Sequence, residues 1–167
     1  MVAFAYADDN EAIMLLDIET VLATIVGIDN DLESEAMISA AGKGAGRHIL
    51  VVDDSRTAIA MLQSILDKLG FSNSAMQSAQ QALDYLEQKD THVDLIISDI
   101  EMPGMDGFTF TRTIRESSNL KHHKLLLHSS MSNPSNRLKA EESGANDFVA
   151  KFDPDILAER ILHLLDN

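Results

Sequence analysis

The stretch Ile49-Leu50-Val51-Val52-Asp53-Asp54-Ser55 decides how this chain is read. Four consecutive apolar residues end abruptly in two carboxylates. An unbroken apolar run of that length suits a strand buried on both faces, the habit of parallel sheets covered by helices. Ser55 then opens a helical apolar period at Ile59, Leu62, Ile65, Leu66 and Leu69, and Gly70 stops it as a left-handed cap would.

The same unit recurs downstream. Residues 71–76 read as a weaker strand, followed by a helix over 78–88 with Ala82, Leu83 and Leu86 inward. Residues 93–98 (VDLIIS) form a second buried strand ending at Asp99, with a helix over 108–115. Residues 125–128 end at Ser129, and Asn133 and Pro134 supply the N-cap and first residue of a helix to about Ser143. Residues 148–150 end at Lys151, and Asp153-Pro154 starts the last helix, with Leu157, Ile161, Leu164 and Leu165 inward. These strand–helix units predict an α/β fold: a doubly wound, five-stranded parallel sheet with five helices and right-handed crossovers.

Upstream of residue 47 the chain changes character. Residues 1–46 hold nine acidic side chains and only Lys43 among the bases. Residues 29–35 are acidic and 40–46 small and Gly-rich, so 29–46 reads as a linker, with a short amphipathic helix open as an alternative for its acidic part. Residues 12–17 (AIMLLD) read as a strand, exposed and able to pair between chains, and 18–26 as a short helix. The expected division is an appendage over 1–28, a linker over 29–46 and one domain over 47–167.

Composition removes several function classes. The formal net charge of −14 leaves no basic face for a nucleic-acid backbone. With no cysteine there is no disulfide, thiol nucleophile or thiolate metal site. The apolar runs are too short to span a bilayer, so no membrane insertion is expected. The opening MVAFAYADDN has no Lys or Arg and no proper apolar stretch, unlike a signal peptide. The expected location is the cytoplasm.

Asp53, Asp54, Asp99, Ser129 and Lys151 each directly follow a predicted strand. In an open parallel sheet, ligands bind outside the carboxyl ends of the strands, so these side chains should gather on one edge. Three carboxylates brought together repel, and a divalent cation relieves them. Mg²⁺ takes oxygen ligands, keeps several waters and uses one or two carboxylates plus phosphate oxygens. Asp54 and Asp99 are expected as direct ligands, Asp53 as a direct or water-mediated one, and the backbone carbonyl of Glu101 completes the set. Asp99 is the expected nucleophile toward a phosphoryl group, giving an acyl phosphate. Lys151 supplies positive charge to the phosphoryl oxygens and Ser129 a hydroxyl, with Ser130 a rival for that role. Glu101 and Met131 flank the site.

ILVVDDS (49–55), DLIISDIEMPGMDG (94–107), the strand end at Ser129 and FVAK (148–151) resemble the receiver domains of two-component response regulators, from about Arg47 to Leu165. The resemblance implies a flavodoxin-like sheet of order 2-1-3-4-5, a histidine kinase as phosphoryl donor, Ser129 as the switch hydroxyl and Phe148 as the switch aromatic. In one respect the chain departs from that family: Lys151 is followed by Phe152, where the family usually has Pro. AIMLLDIETVL resembles the end of CheW-like coupling domains, and coupling domain, linker and receiver in that order is the arrangement of CheV-type chemotaxis proteins. That resemblance implies a CheA-type kinase and chemoreceptor or coupling proteins as partners, the latter through the missing part of the CheW-like domain. A haloacid dehalogenase-type phosphatase would use similar residues, but with its nucleophile first and its acidic pair last. A transcriptional response regulator would need a DNA-binding effector, and none is expected after the last helix. A non-enzymatic signalling module is the expected reading.

Overall fold

A computed structural model describes residues 2–6, 12–16, 35–130, 133–151 and 153–166. The chain divides into two compact units, residues 1–32 and 33–167. In the first, β1 (Val2–Tyr6) and β2 (Ala12–Leu16) form an antiparallel hairpin, Val2 opposite Leu16 and Tyr6 opposite Ala12. The expected strand is present, but it pairs within its own chain instead of waiting for another. The helix expected over 18–26 lies outside the described residues.

The second unit carries β3 (His48–Val52), β4 (Ser72–Met76), β5 (Leu95–Asp99), β6 (Lys124–Ser129) and β7 (Asp147–Ala150), all parallel, in the order β4-β3-β5-β6-β7. This is the five-stranded 2-1-3-4-5 sheet expected. The apolar runs of β3 and β5 occupy its centre, where both faces are covered and no polar face can be tolerated. β4 is an edge strand, SNSAM, and its serines are bridged sideways: the His48 ring nitrogens stand 2.9 Å from Ser72 Oγ and 3.0 Å from Ser74 Oγ.

Alternation along the strands splits the core in two. On one face α2 (Arg56–Leu69) and α6 (Pro154–Asp166) cover Ile49, Val51, Ile97 and Leu126. On the other, α3 (Ala79–Leu86), α4 (Gly107–Glu116) and α5 (Pro134–Ser143) cover Leu50, Val52, Ile96, Leu125 and Leu127. Each fully buried Leu or Ile contributes roughly 1.5–3 kcal/mol relative to exposure. Helix ends follow local chemistry. The Ser55 hydroxyl accepts from the Ala58 amide, Asn133 Oδ1 from the Asn136 amide, and Gly70 and Gly144 close their helices in the left-handed region at φ 84° and 89°.

The linker reading of 29–46 does not describe residues 35–46. Glu35–Ala40 is a helix, α1, lying against α2 and α6, and it makes six helices rather than five among the described residues. Met37 and Ala40, one helical turn apart, are buried in the same cluster as Leu66, Leu69, Leu157 and Ile161. The Gly44 amide donates to the Leu69 carbonyl (2.9 Å), and a Cβ on Gly44 would lie 2.5 Å from the Phe71 ring. Two apolar positions on one face and a glycine where the backbone meets a ring convert a Gly-rich stretch into packed structure. No helix among the described residues is long and apolar enough to cross a membrane.

Candidate functional site

Parallel strands present their carboxyl ends together, and here Asp53 follows β3, Asp99 ends β5, Ser129 ends β6 and Lys151 follows β7. Asp53, Asp54 and Asp99 each place a carboxylate oxygen within 4.8 Å of the others. Asp53 and Asp99 are buried, whereas Asp54 is exposed and opens the cluster to solvent. Asp53 is held by a tight turn, its Oδ1 accepting from the Ser55 amide at 2.9 Å. Its own amide donates to the Met76 carbonyl (3.1 Å), which locks it to the edge strand.

Lys151 reaches into this cluster with its whole length. Its Nζ stands 3.0 Å from Asp53 Oδ2 and 3.2 Å from Asp99 Oδ1, with the side chain only 1% exposed. The Lys151 amide donates to the Ser129 carbonyl at 2.8 Å, so the chain turns toward the site as an extension of the β6–β7 ladder. The absence of Pro after Lys151 therefore does not keep the lysine from Asp99; Phe152 itself lies outside the described residues, as does Met131.

Burial pushes the Asp99 carboxyl up to about 6; Lys151 opposes this, and the neighbouring Asp53 charge adds to it. The Ile100 amide donates to Asp99 Oδ1 (2.8 Å), and the Glu101 backbone also hydrogen-bonds the carboxylate, which brings the main chain of Glu101 beside the cluster. The Glu101 side chain turns outward and its Oε2 accepts from the Ser130 hydroxyl at 2.8 Å. Of the two serines, Ser129 is thus the fully buried residue at the strand end, and Ser130 is exposed and engaged with Glu101. Phe148 is buried in the second core cluster, with the Arg137 guanidinium 5.7 Å from its ring centroid.

Two residues were not singled out for this site by sequence. Gly107 begins α4 with its amide donating to the Ile100 carbonyl (2.9 Å), and a Cβ there would lie 2.3 Å from the Asp99 carbonyl oxygen. The signal was the Asp106-Gly107 pair: Asp106 caps the helix through the Thr109 amide (2.7 Å), and glycine lets the loop fold back on the strand end. His128 is buried within β6 and lies near Lys151. Burial and then the Lys151 charge push its ring down to about 3, so it is neutral. A buried, largely preorganised set of hard oxygen donors with one open side can hold a divalent cation. A carboxylate beside an ammonium can receive an electrophile carrying negative charge.

The response regulator receiver domain family matches residues 49–162. Chemotaxis protein CheV2 of Helicobacter pylori is 30% identical over 146 residues, covering 86% of this chain and 47% of that protein. The two-component response regulator ORR11 of Oryza sativa subsp. japonica is 37% identical over 112 residues, covering 67% of this chain and 76% of that protein. The chain spans about half the length of the CheV relatives it matches. The solved structure of the chemotaxis protein CheY4 of Vibrio cholerae, 28% identical, superposes with a TM-score of 0.66 over 72% of this chain and all of that one. A fold of this strand order, matched from the first acidic strand end to the last helix, places the chain in the response regulator receiver family of two-component and chemotaxis signalling.

Proposed function

We propose that this chain is the phosphoryl-accepting module of a chemotaxis coupling protein. Asp99 takes a phosphoryl group from a CheA-type histidine kinase, and the phosphorylated state modulates how chemoreceptors are coupled to that kinase. The observation that carries this reading is the meeting of Asp53, Asp54 and Asp99 within 4.8 Å, with the Lys151 ammonium 3.2 Å from Asp99.

The ligands proposed for Mg²⁺ are Asp53, Asp54, Asp99 and the backbone carbonyl of Glu101. When bound, the ion supplies charge neutralisation and orientation of phosphoryl oxygens. Asp99 contributes the attacking oxygen: a bond forms from its carboxylate to phosphorus as the bond from phosphorus to the donor breaks. Lys151 stays with the site and pairs with the oxygens of the transferred group. Ser129, one strand away, offers its hydroxyl to them, and Phe148 responds as the paired switch aromatic. α5, β7 and α6 form the proposed output face, where Leu138 and Ile156 stand as exposed large apolar side chains. The division proposed for the whole is a remnant of a CheW-like coupling domain over 1–28, a linker over 29–46 of which only the part before residue 35 keeps the linker reading, and a receiver over 47–167. The module is non-enzymatic and cytoplasmic.

Incubation with acetyl phosphate and Mg²⁺, read by intact mass, tests the chemistry. The expected result is a hydroxylamine-sensitive gain of one phosphoryl group, absent in Asp99→Asn. No gain, or a gain that survives the substitution, overturns the assignment. Steady turnover of a small phosphate ester would instead favour a phosphatase.

A further inference from the structure

We propose that His128 is a positioning residue for Lys151, acting through one water held in a small cavity beside the lysine side chain. The proposal rests on the acceptor reading of Asp99, since what His128 positions is the ammonium that faces that carboxylate.

Sheet order sets the problem. Lys151 follows β7, yet its Nζ reaches Asp53, which follows β3, and Asp99 at the end of β5. In the order β3-β5-β6-β7 the lysine must therefore pass the end of β6. Neighbouring strands stand about 4.8 Å apart, so two such spacings separate β7 from β5. Register identifies what the lysine passes. Asp99 pairs with His128 and His128 with Val149, and side chains paired across parallel strands share a face. Val149 lies in the cluster under α2 and α6, so His128 faces the same way.

His128 carries an unmet need there. The residue is 5% exposed, and its Nδ1 has no hydrogen-bond partner among the described residues. A buried polar atom without a partner costs stability, and ordered water is the usual remedy where protein groups do not supply one. A cavity of about 20 Å³ lies between α2 and α6, with His128, Lys151 and Asp153 on its wall. That is room for one water, which binds where several polar groups converge. Met61, Leu62 and Leu157 supply apolar walls, so a water there is directed to the few polar groups around it. The ring is neutral, with one N–H and one lone pair, and water serves either at Nδ1. Imidazole and water together form a fixed bed for the lysine stem, and the ammonium arrives at Asp53 and Asp99 in one geometry. An apolar residue at 128 would leave Lys151 its length and its charge but not that bed.

The isosteric pair His128→Asn and His128→Leu tests this in the full chain. Asn sets a polar amide atom where Nδ1 stands, and Leu sets a methyl there. Beryllofluoride binding in Mg²⁺, titrated by ¹⁹F NMR, is the readout. His128→Asn should bind within about twofold of the parent and His128→Leu about tenfold more weakly, the lower end for groups that orient a ligand from behind. Thermal unfolding should run the other way, with Leu at least as stable as Asn, because an apolar side chain suits the Met61 and Leu157 walls. In the parent, a nuclear Overhauser effect between the His128 Hε1 proton and a long-lived water is expected, and it decides alone should His128→Leu fold poorly. Equal binding by the two variants, or no such effect in the parent, overturns the positioning role and leaves the acceptor reading standing. The absence of any bound ¹⁹F signal in the parent overturns the acceptor reading, and the positioning role with it.

Discussion

The carbonyl oxygen of Asp99 occupies the space where a side chain on Gly107 would begin, 2.3 Å from an ideal Cβ, and the Ile100 Cα is only 2.8 Å away. The neighbours are backbone, so nothing flexible can give way. Gly107→Ala should destabilise the domain by roughly 1–3 kcal/mol, the ordinary cost of forcing a methyl into packed structure. Urea unfolding checks this, and an unchanged midpoint would refute it. The same substitution should lower phosphoryl acceptance, because relief of the clash displaces the Asp99 main chain.

Asp99 sets a pH dependence in metal-free protein. Its carboxyl titrates near 6 in the folded chain against 3.8 as the ordinary value, chiefly through burial. A folded value above the unfolded one means that the fold holds the proton more tightly. That contribution to stability is complete below about 3.8 and is lost as pH rises through about 6. At pH 7.5 in a chelator, Asp99→Asn should therefore be more stable than the parent by on the order of 1–3 kcal/mol. The advantage should vanish near pH 3.5. Equal stability at both pH values would contradict the prediction.

Metal binding should show the same carboxyl from the other side. Mg²⁺ at a hundredfold excess over its dissociation constant raises stability by about 2.7 kcal/mol if it binds only the folded chain. The gain should shrink as pH falls through 6, because the proton and the ion compete for Asp99. Thermal unfolding with and without Mg²⁺ reads it, and Asp54→Asn should diminish it throughout.

Lys151→Met removes the internal cation and leaves Asp53 and Asp99 facing each other. Breaking a buried pair on one side typically costs about 3–5 kcal/mol. Added Mg²⁺ should restore more stability to this variant than to the parent, since the ion no longer competes with an ammonium. Phosphoryl acceptance should nevertheless fall. A variant whose stability ignores Mg²⁺ would argue against a shared site.

The two serines separate by geometry. Ser129 is buried at the end of β6, and the Ser130 hydroxyl donates to Glu101. Ser129→Ala should slow acceptance from acetyl phosphate, whereas Ser130→Ala should leave its rate within about twofold, consistent with the small effect of most exposed substitutions. The order of the two rates, followed by mass, is the measurement.

Much of this was legible because the strands are short and their ends are punctuated. Ile49 to Val52 ending in Asp53, and Leu95 to Ser98 ending in Asp99, announce strand, face and edge together, and the parallel sheet carries them to one side. Boundaries set by capping chemistry, such as Asn133 with Pro134, were equally plain. Residues 35–46 were not. Met37 and Ala40 are too few to raise an apolar period, and the tertiary surface of Leu66, Leu69 and Leu157 decides their structure. Val2–Tyr6 was missed for a related reason: alanines and aromatics carry little pattern until a partner strand supplies register. Gly107 shows its role only when the backbone it approaches is in place.

Three carboxylates against one ammonium leave a formal valence of minus two in the cleft. Sodium or potassium would leave it short, and a lanthanide would overfill it. Any doubly charged ion settles the count, so valence alone separates magnesium from the monovalent ions of a cell but not from calcium. That second discrimination falls to size and hydration at the open side, beside Asp54, where an ion reluctant to shed water can keep it.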